Sequence, residues 1–437
     1  MIQRFHVAWY KSLDGLDVRL RPLTVLLGPN AAGKSNFLDA LQLLSQFVNR
    51  RTLKEAFDPP CRGKPLEAFA FAREGVAGLL KMDAVRFAFE VDVELSQQTV
   101  EAVEQQIAEM RQKPGPATED AKAREHVKER FLRYRLEVEM VPRTGVLRVA
   151  DEYLAALRDN GQVKNSRNPF LEKTEGRLSL RLEGQAHPTY HEVGLDHALV
   201  SRPLYPPHYP HLVALRQELA GWHCFYFEPR ERMRAPTPVK EVNTIGLMGE
   251  DLAAFLNSLK AKNPRQFAAI ERAVRTLLPR IEHIEVEPNV LGEVELRLIE
   301  DGISVPARLV SEGTLRILGL LAIGAAGSAP TLVAMEEPEN GIHPRRIQLI
   351  ARFLQTRAEM GPTQFIVTTH SPLLADDLPC DSLFVVRRRG GRTMIDPYTE
   401  LGPLFRGEQL ARDLTEPGES DKATVSQRMM RGDFDAW

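Results

Sequence analysis

A glycine-rich stretch near the start of the chain, LLGPNAAGKS at residues 26–35, has the spacing of a phosphate-binding loop, GxxxxGK[ST]. Backbone N–H groups of such a loop wrap phosphate oxygens, and the helix that follows directs its positive end at them. We predict that Lys34 contacts the β- and γ-phosphates of ATP and that the Ser35 hydroxyl binds Mg²⁺. The predicted nucleotide-binding residues of this loop are Gly28, Pro29, Asn30, Ala31, Ala32, Gly33, Lys34, Ser35 and Asn36.

Two acidic residues follow an apolar run in TLVAMEEPENGIHP, residues 331–344. The run from Leu332 to Met335 predicts a buried strand, and Glu336 and Glu337 emerge at its end. In this position the first acid holds Mg²⁺, directly or through its water shell, and the second orients the attacking water. The alternative is a pair of solvated acids at a strand end.

A histidine ends a third apolar run, in QFIVTTHSPLLADDL at residues 364–378. At the carboxyl edge of a buried strand, His370 is placed to contact a γ-phosphate. The alternative is a structural histidine with its hydrogen bonds satisfied. The position behind a phosphate-binding loop and two acids favours the first interpretation.

Composition excludes several classes of protein. The chain has 437 residues, 43% of them apolar, and a net charge of −2, so the whole molecule is not a polycation that coats nucleic acid. Its three cysteines, Cys61, Cys224 and Cys380, lack metal-ligand spacing, which predicts a reducing, cytoplasmic location without a zinc site. The uncharged run 317–335 contains Pro330 and small residues, so we predict a buried helix, a loop and a strand there and no membrane partner.

The patterning also predicts the elements that position these residues. A strand buried on both faces (about 23–27) enters the loop, and a helix begins near Lys34. The rest of the chain is predicted as a strand at 84–95, helical arms at 97–113 and about 119–134, strands at RLEVEM and VLRVADEYL, a proline-rich surface loop within 160–220, helices at 249–279, strands at HIEVEPN and EVELRLIE, and a hairpin at 382–398 with its turn at Gly390-Gly391.

These pieces resemble the ABC-type ATPase heads of the SMC and RecF group, and more closely the OLD-like predicted ATPases. Four stretches carry the resemblance: YKSL leading into LTVLLGPNAAGKSNFLDAL, then LVSEGTLRILGLLA at 309–322, AMEEPENGIHP and VTTHSP. They span roughly residues 1–45 and 245–386. The resemblance implies an α/β P-loop NTPase with an ABC-type head: a mixed sheet flanked by helices, an antiparallel β arm and an inserted helical hairpin.

The resemblance also implies roles for single residues. Glu337 is the catalytic glutamate, His370 the γ-phosphate sensor, and Ser311 and Gly313 contact ATP bound by a second copy of the chain, so that a homodimer or higher homo-oligomer encloses the nucleotide. Ser311 also suits an ordinary helix N-cap, and both roles are compatible. Two departures from the family pattern are Ala31, where glycine is usual, and Glu336, where aspartate is usual.

We divide the chain at the same landmarks. Residues 1–95 are predicted as the N-terminal part of the ATPase head, and 96–240 as an inserted region with the helical hairpin, strands and proline-rich loop. Residues 241–437 are predicted as the C-terminal part, with the stretch at 309–322 that resembles the ABC signature, the acid pair and the histidine. The long separation of Ser35 from Ser311 favours an SMC- or OLD-like head over a transporter subunit.

Two roles stay open for such an ATPase. Few residues follow His370, so no Toprim nuclease domain is expected, and we predict an ATPase that regulates or scaffolds a separate effector, a nuclease or toxin, in prokaryotic anti-phage defence. The alternative is a DNA-binding repair ATPase. Its DNA surface would combine basic residues of two regions, unless these are simply solvated faces: Lys128, Arg130, Arg133, Arg135, Arg387, Arg388, Arg389 and Arg392. The acid pair of Asp433 and Asp435 is attributed to chance, and the aromatic tail 434–437 to a partner contact or a frayed terminus.

Overall fold

A computed structural model describes residues 1–59, 61–70, 74–111, 125–183, 185, 187–325, 329–398 and 424–430. The strands are β1 (Ile2–Ala8), β2 (Leu16–Arg19), β3 (Leu23–Leu27), β4 (Val85–Glu94), β5 (Phe131–Val141), β6 (Val146–Ala156), β7 (Leu171–Thr174), β8 (Arg177–Leu180), β9 (Thr189–Glu192), β10 (Trp222–Phe225), β11 (Thr237–Pro238), β12 (Ile281–Pro288), β13 (Glu293–Glu300), β14 (Ile303–Pro306), β15 (Leu332–Glu336), β16 (Gln364–Thr369), β17 (Leu383–Arg389) and β18 (Arg392–Pro397). The helices are α1 (Lys34–Asn49), α2 (Gly75–Leu79), α3 (Gln97–Arg111), α4 (Pro210–Ala220), α5 (Leu252–Lys262), α6 (Pro264–Leu277), α7 (Glu312–Ile323), α8 (Pro344–Glu359), α9 (Pro372–Asp376) and α10 (Val425–Met430).

A six-stranded sheet in the order β10-β15-β16-β3-β17-β18 holds the predicted site. Its strands are parallel except β18, which pairs antiparallel with β17. Every residue of β3 and of β16 is buried, because helices and a second sheet cover both faces. Since β15, β16 and β3 are parallel neighbours, the residues after their carboxyl ends meet at one edge.

An antiparallel sheet of eight strands, in the order β2-β1-β4-β5-β6-β7-β8-β9, covers one face of the parallel sheet. Helix α1 lies between the two sheets. Its side chains share one core with both, and the ring of Phe37 on α1 meets that of Phe5 on β1 at 5.7 Å. Strand β5 shows why this sheet forms, because its residues alternate between buried and half-buried along the whole strand.

Helices α5 to α8 pack on the opposite face of the parallel sheet, together with a four-stranded sheet in which β13 pairs with β11, β12 and β14. The two cores divide the side chains of β3 between them. Leu26 points into the core with α1, whereas Val25 and Leu27 point into the second core. The α/β P-loop fold with a mixed sheet, flanking helices and an antiparallel arm is as predicted.

The second arm of the predicted helical hairpin is wrong where the structure describes it. Helix α3 confirms the first arm, but residues 125–130 are not helical and β5 begins at Phe131. Apolar side chains at Leu132, Tyr134 and Leu136 recur every second residue, and pairing along β4 buries them. The two-residue spacing of these apolar side chains therefore determines a strand, despite the helix-like spacing of the charged residues before it. Residues 119–124 lie outside the described residues.

The predicted surface loop within 160–220 is also wrong in part. Three short strands, β7 to β9, extend the antiparallel sheet through this region. Pro210 is the first residue of α4, where its missing N–H costs nothing. His211 and Leu212 of that helix are fully buried, so the proline-rich stretch ends in a core helix.

Candidate functional site

The predicted phosphate loop joins β3 to α1, and the helix begins at Lys34 as predicted. The Lys34 ammonium is almost completely buried and donates hydrogen bonds to the carbonyls of Gly28 (2.6 Å) and Pro29 (2.9 Å). Burial lowers the pKa of Lys34, and the negative charges of Glu337 and Glu336 oppose that shift. The lysine therefore lies inside the loop, within electrostatic reach of both predicted acids.

The β17–β18 hairpin braces this loop from outside. Thr393 on β18 donates to the carbonyl of Ala32 (2.8 Å), and its hydroxyl lies 2.7 Å from that of Ser12, which also accepts from Asn36 (2.8 Å). A Cβ at Gly33 would lie 2.0 Å from the Thr393 hydroxyl, so only glycine permits this contact. The hairpin with its turn at 390–391 confirms the prediction for that segment.

The two predicted catalytic side chains touch each other. Glu337 follows the carboxyl end of β15, His370 follows that of β16, and the carboxylate Oε1 lies 2.7 Å from the imidazole Nδ1. The Glu337 N–H donates to the Thr368 carbonyl on the neighbouring strand (2.9 Å), which holds the residue in a left-handed backbone conformation with φ 44°. A carboxylate beside an imidazole at a strand edge can orient a water molecule and accept a proton from it.

A buried acid that the sequence analysis missed supports this pair. Glu339 is 6% exposed and accepts a hydrogen bond from the Thr369 hydroxyl, which itself accepts from the Ser371 N–H at 2.9 Å. Burial raises the pKa of Glu339, against the opposing effect of the Thr369 hydrogen bond. These bonds fix the backbone on both sides of His370. Only the position of Glu339 in EEPEN signals it, and a lone acid in a turn is normally solvated.

The predicted signature residues stand at the start of α7. Ser311 caps the helix by accepting from the Thr314 N–H (3.2 Å), so the N-cap role is present. A Cβ on Gly313 would lie 2.3 Å from the Gly341 carbonyl, which packs α7 against the turn that contains Asn340. Among the described residues, no hydrogen bond or ion pair joins Ser311 or Gly313 to the phosphate loop.

One carboxylate oxygen of Glu336 is available for a further ligand. Its Oε2 pairs with Arg62, while its Oε1 is buried and has no hydrogen-bond partner among the described residues. No three His, Cys, Asp or Glu side chains converge as a metal site in the described parts of the chain. A divalent metal here would therefore depend on Glu336, the Ser35 hydroxyl and phosphate oxygens, which are the hard oxygen ligands that Mg²⁺ prefers. No motif pointed to Arg62.

The basic residues grouped as a DNA surface are mostly paired with acids. Arg133 pairs with Asp92 at 2.6 Å and Arg135 with Asp151 at 2.7 Å. The others with acidic partners are Arg130 with Glu125, Arg387 with Asp396, and Arg392 with Asp14. Arg388 donates to the Ala31 and Gly391 carbonyls instead of an acid, so Lys128, Arg388 and Arg389 of the group make no ion pair with a described residue. The interpretation as solvated faces balanced by acids therefore gains support.

The sequence profile of one protein family matches residues 23–94 and 217–376, together just over half of the chain. Its description is "AAA domain, putative AbiEii toxin, Type IV TA system". The chain belongs to this family. The match includes the phosphate loop, the signature residues, the acid pair and His370 of this AAA-domain protein. It omits residues 95–216, where β5 to β9 lie. No curated protein matches the sequence.

Solved SMC head domains overlap with most of this AAA-domain protein at low similarity. One, bound to the C-winged helix domain of ScpA, is 13% identical with a TM-score of 0.47, covering 90% of this chain and 97% of that one. A head domain from Thermotoga maritima is 14% identical with a TM-score of 0.41, covering 91% and 98%. A third, with an extended coiled coil and bound to the C-terminal domain of ScpA derived from Pyrococcus furiosus, is 10% identical with a TM-score of 0.45, covering 95% and 99%.

Among the described helices of the AAA-domain protein, none combines the length and the apolar character needed to cross a membrane. The uncharged run 317–335 divides into the end of α7 and the start of β15, as predicted. Residues 326–328 between them, and the acidic and aromatic tail at 433–437, lie outside the described residues.

Proposed function

We propose that the chain binds ATP with Mg²⁺ and hydrolyses it at the edge formed by the ends of β3, β15 and β16. The observation that carries the proposal is the 2.7 Å contact between Glu337 and His370. It lies beside a phosphate loop whose Lys34 is within electrostatic range of Glu337 and Glu336. A hydrogen bond to His370 would hold the Glu337 carboxylate in one orientation toward water, and the histidine could respond to the charge of the phosphate.

Each residue of the edge has one task in this proposal. The loop amides and Lys34 hold the phosphates, and Lys34 leaves the Gly28 and Pro29 carbonyls to reach them. Ser35 and Glu336 would hold Mg²⁺, whose charge would neutralise the phosphate oxygens. Glu337 accepts the proton of the attacking water and aligns its oxygen with the γ-phosphorus. His370 orients Glu337 through Nδ1 and presents its other ring nitrogen to the γ-phosphate.

Two copies of the chain enclose the nucleotide. Support comes from α7, whose cap Ser311 is exposed and makes no bond to the phosphate loop of its own chain. A helix N-terminus with free N–H groups binds phosphate well, so α7 of one copy completes the site of the other. The arrangement is isologous, since each copy gives its loop and receives a signature helix.

The Glu337→Gln variant tests this function. Gln keeps the size of the side chain but cannot accept the proton, so the variant should bind ATP–Mg²⁺, fail to hydrolyse it and accumulate as a dimer in light scattering. Lys34→Ala should stay monomeric in the same buffer because it loses nucleotide. Glu359→Gln, an exposed acid at the end of α8, is the matched control and should behave as wild type. Dimers of Lys34→Ala, or none of Glu337→Gln, would contradict the proposal.

For the cell, we propose that the ATP state regulates or scaffolds a separate effector in anti-phage defence. The family description, which names a toxin of a toxin–antitoxin system, supports a role of this kind. The paired arginines favour a protein partner over duplex DNA. The tagged chain purified from its native cell should carry a stoichiometric second protein, identified by mass spectrometry. A homodimer without any partner would contradict this role.

A further inference from the structure

The segment after α1 returns across the acid edge and places Arg62 beside Glu336. The guanidinium Nη2 donates to Glu336 Oε2, and the Nε lies 3.8 Å from Asp39 Oδ1. The guanidinium also stacks on the ring of Tyr226, 4.4 Å from its centroid. Burial lowers the pKa of Arg62, but the hydrogen bond to Glu336 and the charge of Asp39 outweigh it and raise the pKa. Arg62 is therefore a fixed cation at this edge.

Arg62 and a divalent metal need the same carboxylate. Glu336 has one oxygen on Arg62 and one buried oxygen without a hydrogen-bond partner among the described residues. Charge-assisted bonds of guanidinium to carboxylate are strong and directional. A metal that draws on this carboxylate must weaken that bond, because two cations near one acid repel each other.

The cluster offers Arg62 a second anchor. Asp39 is 4% exposed and already accepts from Lys11 at 2.8 Å and from the Tyr226 hydroxyl at 3.2 Å. Its Oδ1 and the Tyr226 ring remain next to the guanidinium when the Glu336 bond breaks. Arg62 can therefore leave Glu336 without becoming an unpaired cation, which keeps the cost of the exchange small.

We propose that Arg62 competes with the divalent metal for Glu336 and so sets the metal concentration at which nucleotide is held. The inference rests on the proposed function, because the metal site serves ATP. Arg62 acts as a positioning residue for the Glu336 carboxylate. With metal bound, the guanidinium would rest on Asp39 and Tyr226 alone, and without metal it pairs with Glu336.

The test is a titration with Mn²⁺, which reports free metal by electron paramagnetic resonance, in the presence of a non-hydrolysable ATP analogue. Removing the competitor in Arg62→Ala should lower the half-saturating Mn²⁺ concentration about three- to fivefold, the upper part of the range for a partly exposed ion pair. Arg62→Lys keeps a cation and should stay within about twofold of wild type. Lys81→Ala breaks an exposed ion pair with Glu74 outside this cluster, and should also stay within that range.

A second pair of variants identifies the shared acid. In a Glu336→Gln background, Arg62→Ala should no longer change the Mn²⁺ requirement, because the group for which they compete has lost its charge. If Arg62→Ala is poorly folded by circular dichroism, Arg62→Gln replaces it with the same expectation. An unchanged or higher Mn²⁺ requirement in the folded variant overturns the proposal, as does a full effect that persists in Glu336→Gln.

Nucleotide binding, measured with a fluorescent ATP analogue, separates the two proposals. If wild type binds nucleotide and Arg62→Ala has the wild-type metal requirement, the proposed competition for Glu336 is overturned and the proposed function is not. Wild type that binds no nucleotide at any Mn²⁺ concentration overturns the proposed function, and the competition with it.

Discussion

Ala31 and Glu337 hold left-handed backbone conformations on the two sides of the site, with φ of 63° and 44°. Residues with a Cβ rarely adopt such angles. The strain costs on the order of 1–3 kcal/mol, and the conformation persists only where the surrounding structure imposes it. The N–H of Glu337 is held by the Thr368 carbonyl, and the carbonyl of Ala31 lies 3.4 Å from Arg388 Nη1. The site therefore keeps its shape against local backbone preference.

Replacing Ala31 with glycine tests that strain. Glycine adopts φ 63° freely, and this gain exceeds the extra entropy it gives the unfolded chain. We expect Ala31→Gly to raise the free energy of unfolding by about 0.5–1 kcal/mol, measured by urea denaturation. Ala32→Gly is the control: Ala32 is buried and not at a positive φ, so that variant should lose stability. A loss of stability in Ala31→Gly would show that the loop carries no strain there.

The sequence predicts a site residue when the short segment around that residue determines its position. Lys34, Glu336 and His370 stand at fixed positions after buried strands, so pattern and topology together place them at one edge. Arg62 and Glu339 reach that edge by tertiary contacts from segments without a motif. The predicted roles of Ser311 and Gly313 toward a second copy stay predictions, because they concern an interface.

At the scale of elements, the β17–β18 hairpin determines how firmly the phosphate loop is held. Hydrogen bonds run from Asn36 to Ser12, from Ser12 to Thr393 and from Thr393 to the Ala32 carbonyl. The donor of Thr393 is buried, so its loss leaves a buried carbonyl unsatisfied. The hairpin therefore supports the loop of the proposed nucleotide site, although it lies outside the family match.

Thr393→Val removes this brace while keeping the shape of the side chain. The variant should lose about 1–2 kcal/mol in the free energy of unfolding and bind ATP several-fold more weakly, because the loop no longer has one preferred conformation. Thr393→Ser keeps the hydroxyl and should retain most of the ATP affinity. Calorimetric titration measures both variants. Equal affinity for Thr393→Val and wild type would exclude the hairpin from the site.

The elements were predicted well where one periodicity dominates. Strands β3, β15 and β16 and the hairpin at 382–398 follow from continuous or alternating apolar runs between turns, whereas β10 at the edge of the same sheet was not predicted. The helical arm expected at 119–134 was wrong over the described residues 125–134, because a charged run with helical spacing precedes a strand and the two patterns merge. Pairing with β4 decides the outcome, and only the sheet provides that information.

At the scale of the whole molecule, the two hydrophobic cores support different parts of the candidate site. One core joins α1 to the antiparallel sheet and supports the phosphate loop, and the other joins α7 and α8 to the strands that end in the acids. Membership of the AAA-domain family fits this division, since its matched residues carry the site on both cores. On the proposed function, the first core would support the loop that holds the chain's own nucleotide, and α7 on the second core would face the nucleotide of a second copy.

The measurement that tests the central claim most directly is steady-state ATP hydrolysis by wild type and by Glu337→Gln, with nucleotide affinity measured in parallel. The account predicts Mg²⁺-dependent hydrolysis by wild type. It predicts that turnover falls by at least about 100-fold in Glu337→Gln, the usual contribution of a general base, while affinity changes by less than about threefold. Hydrolysis by Glu337→Gln at the wild-type rate would show that the Glu337–His370 pair does not position the water.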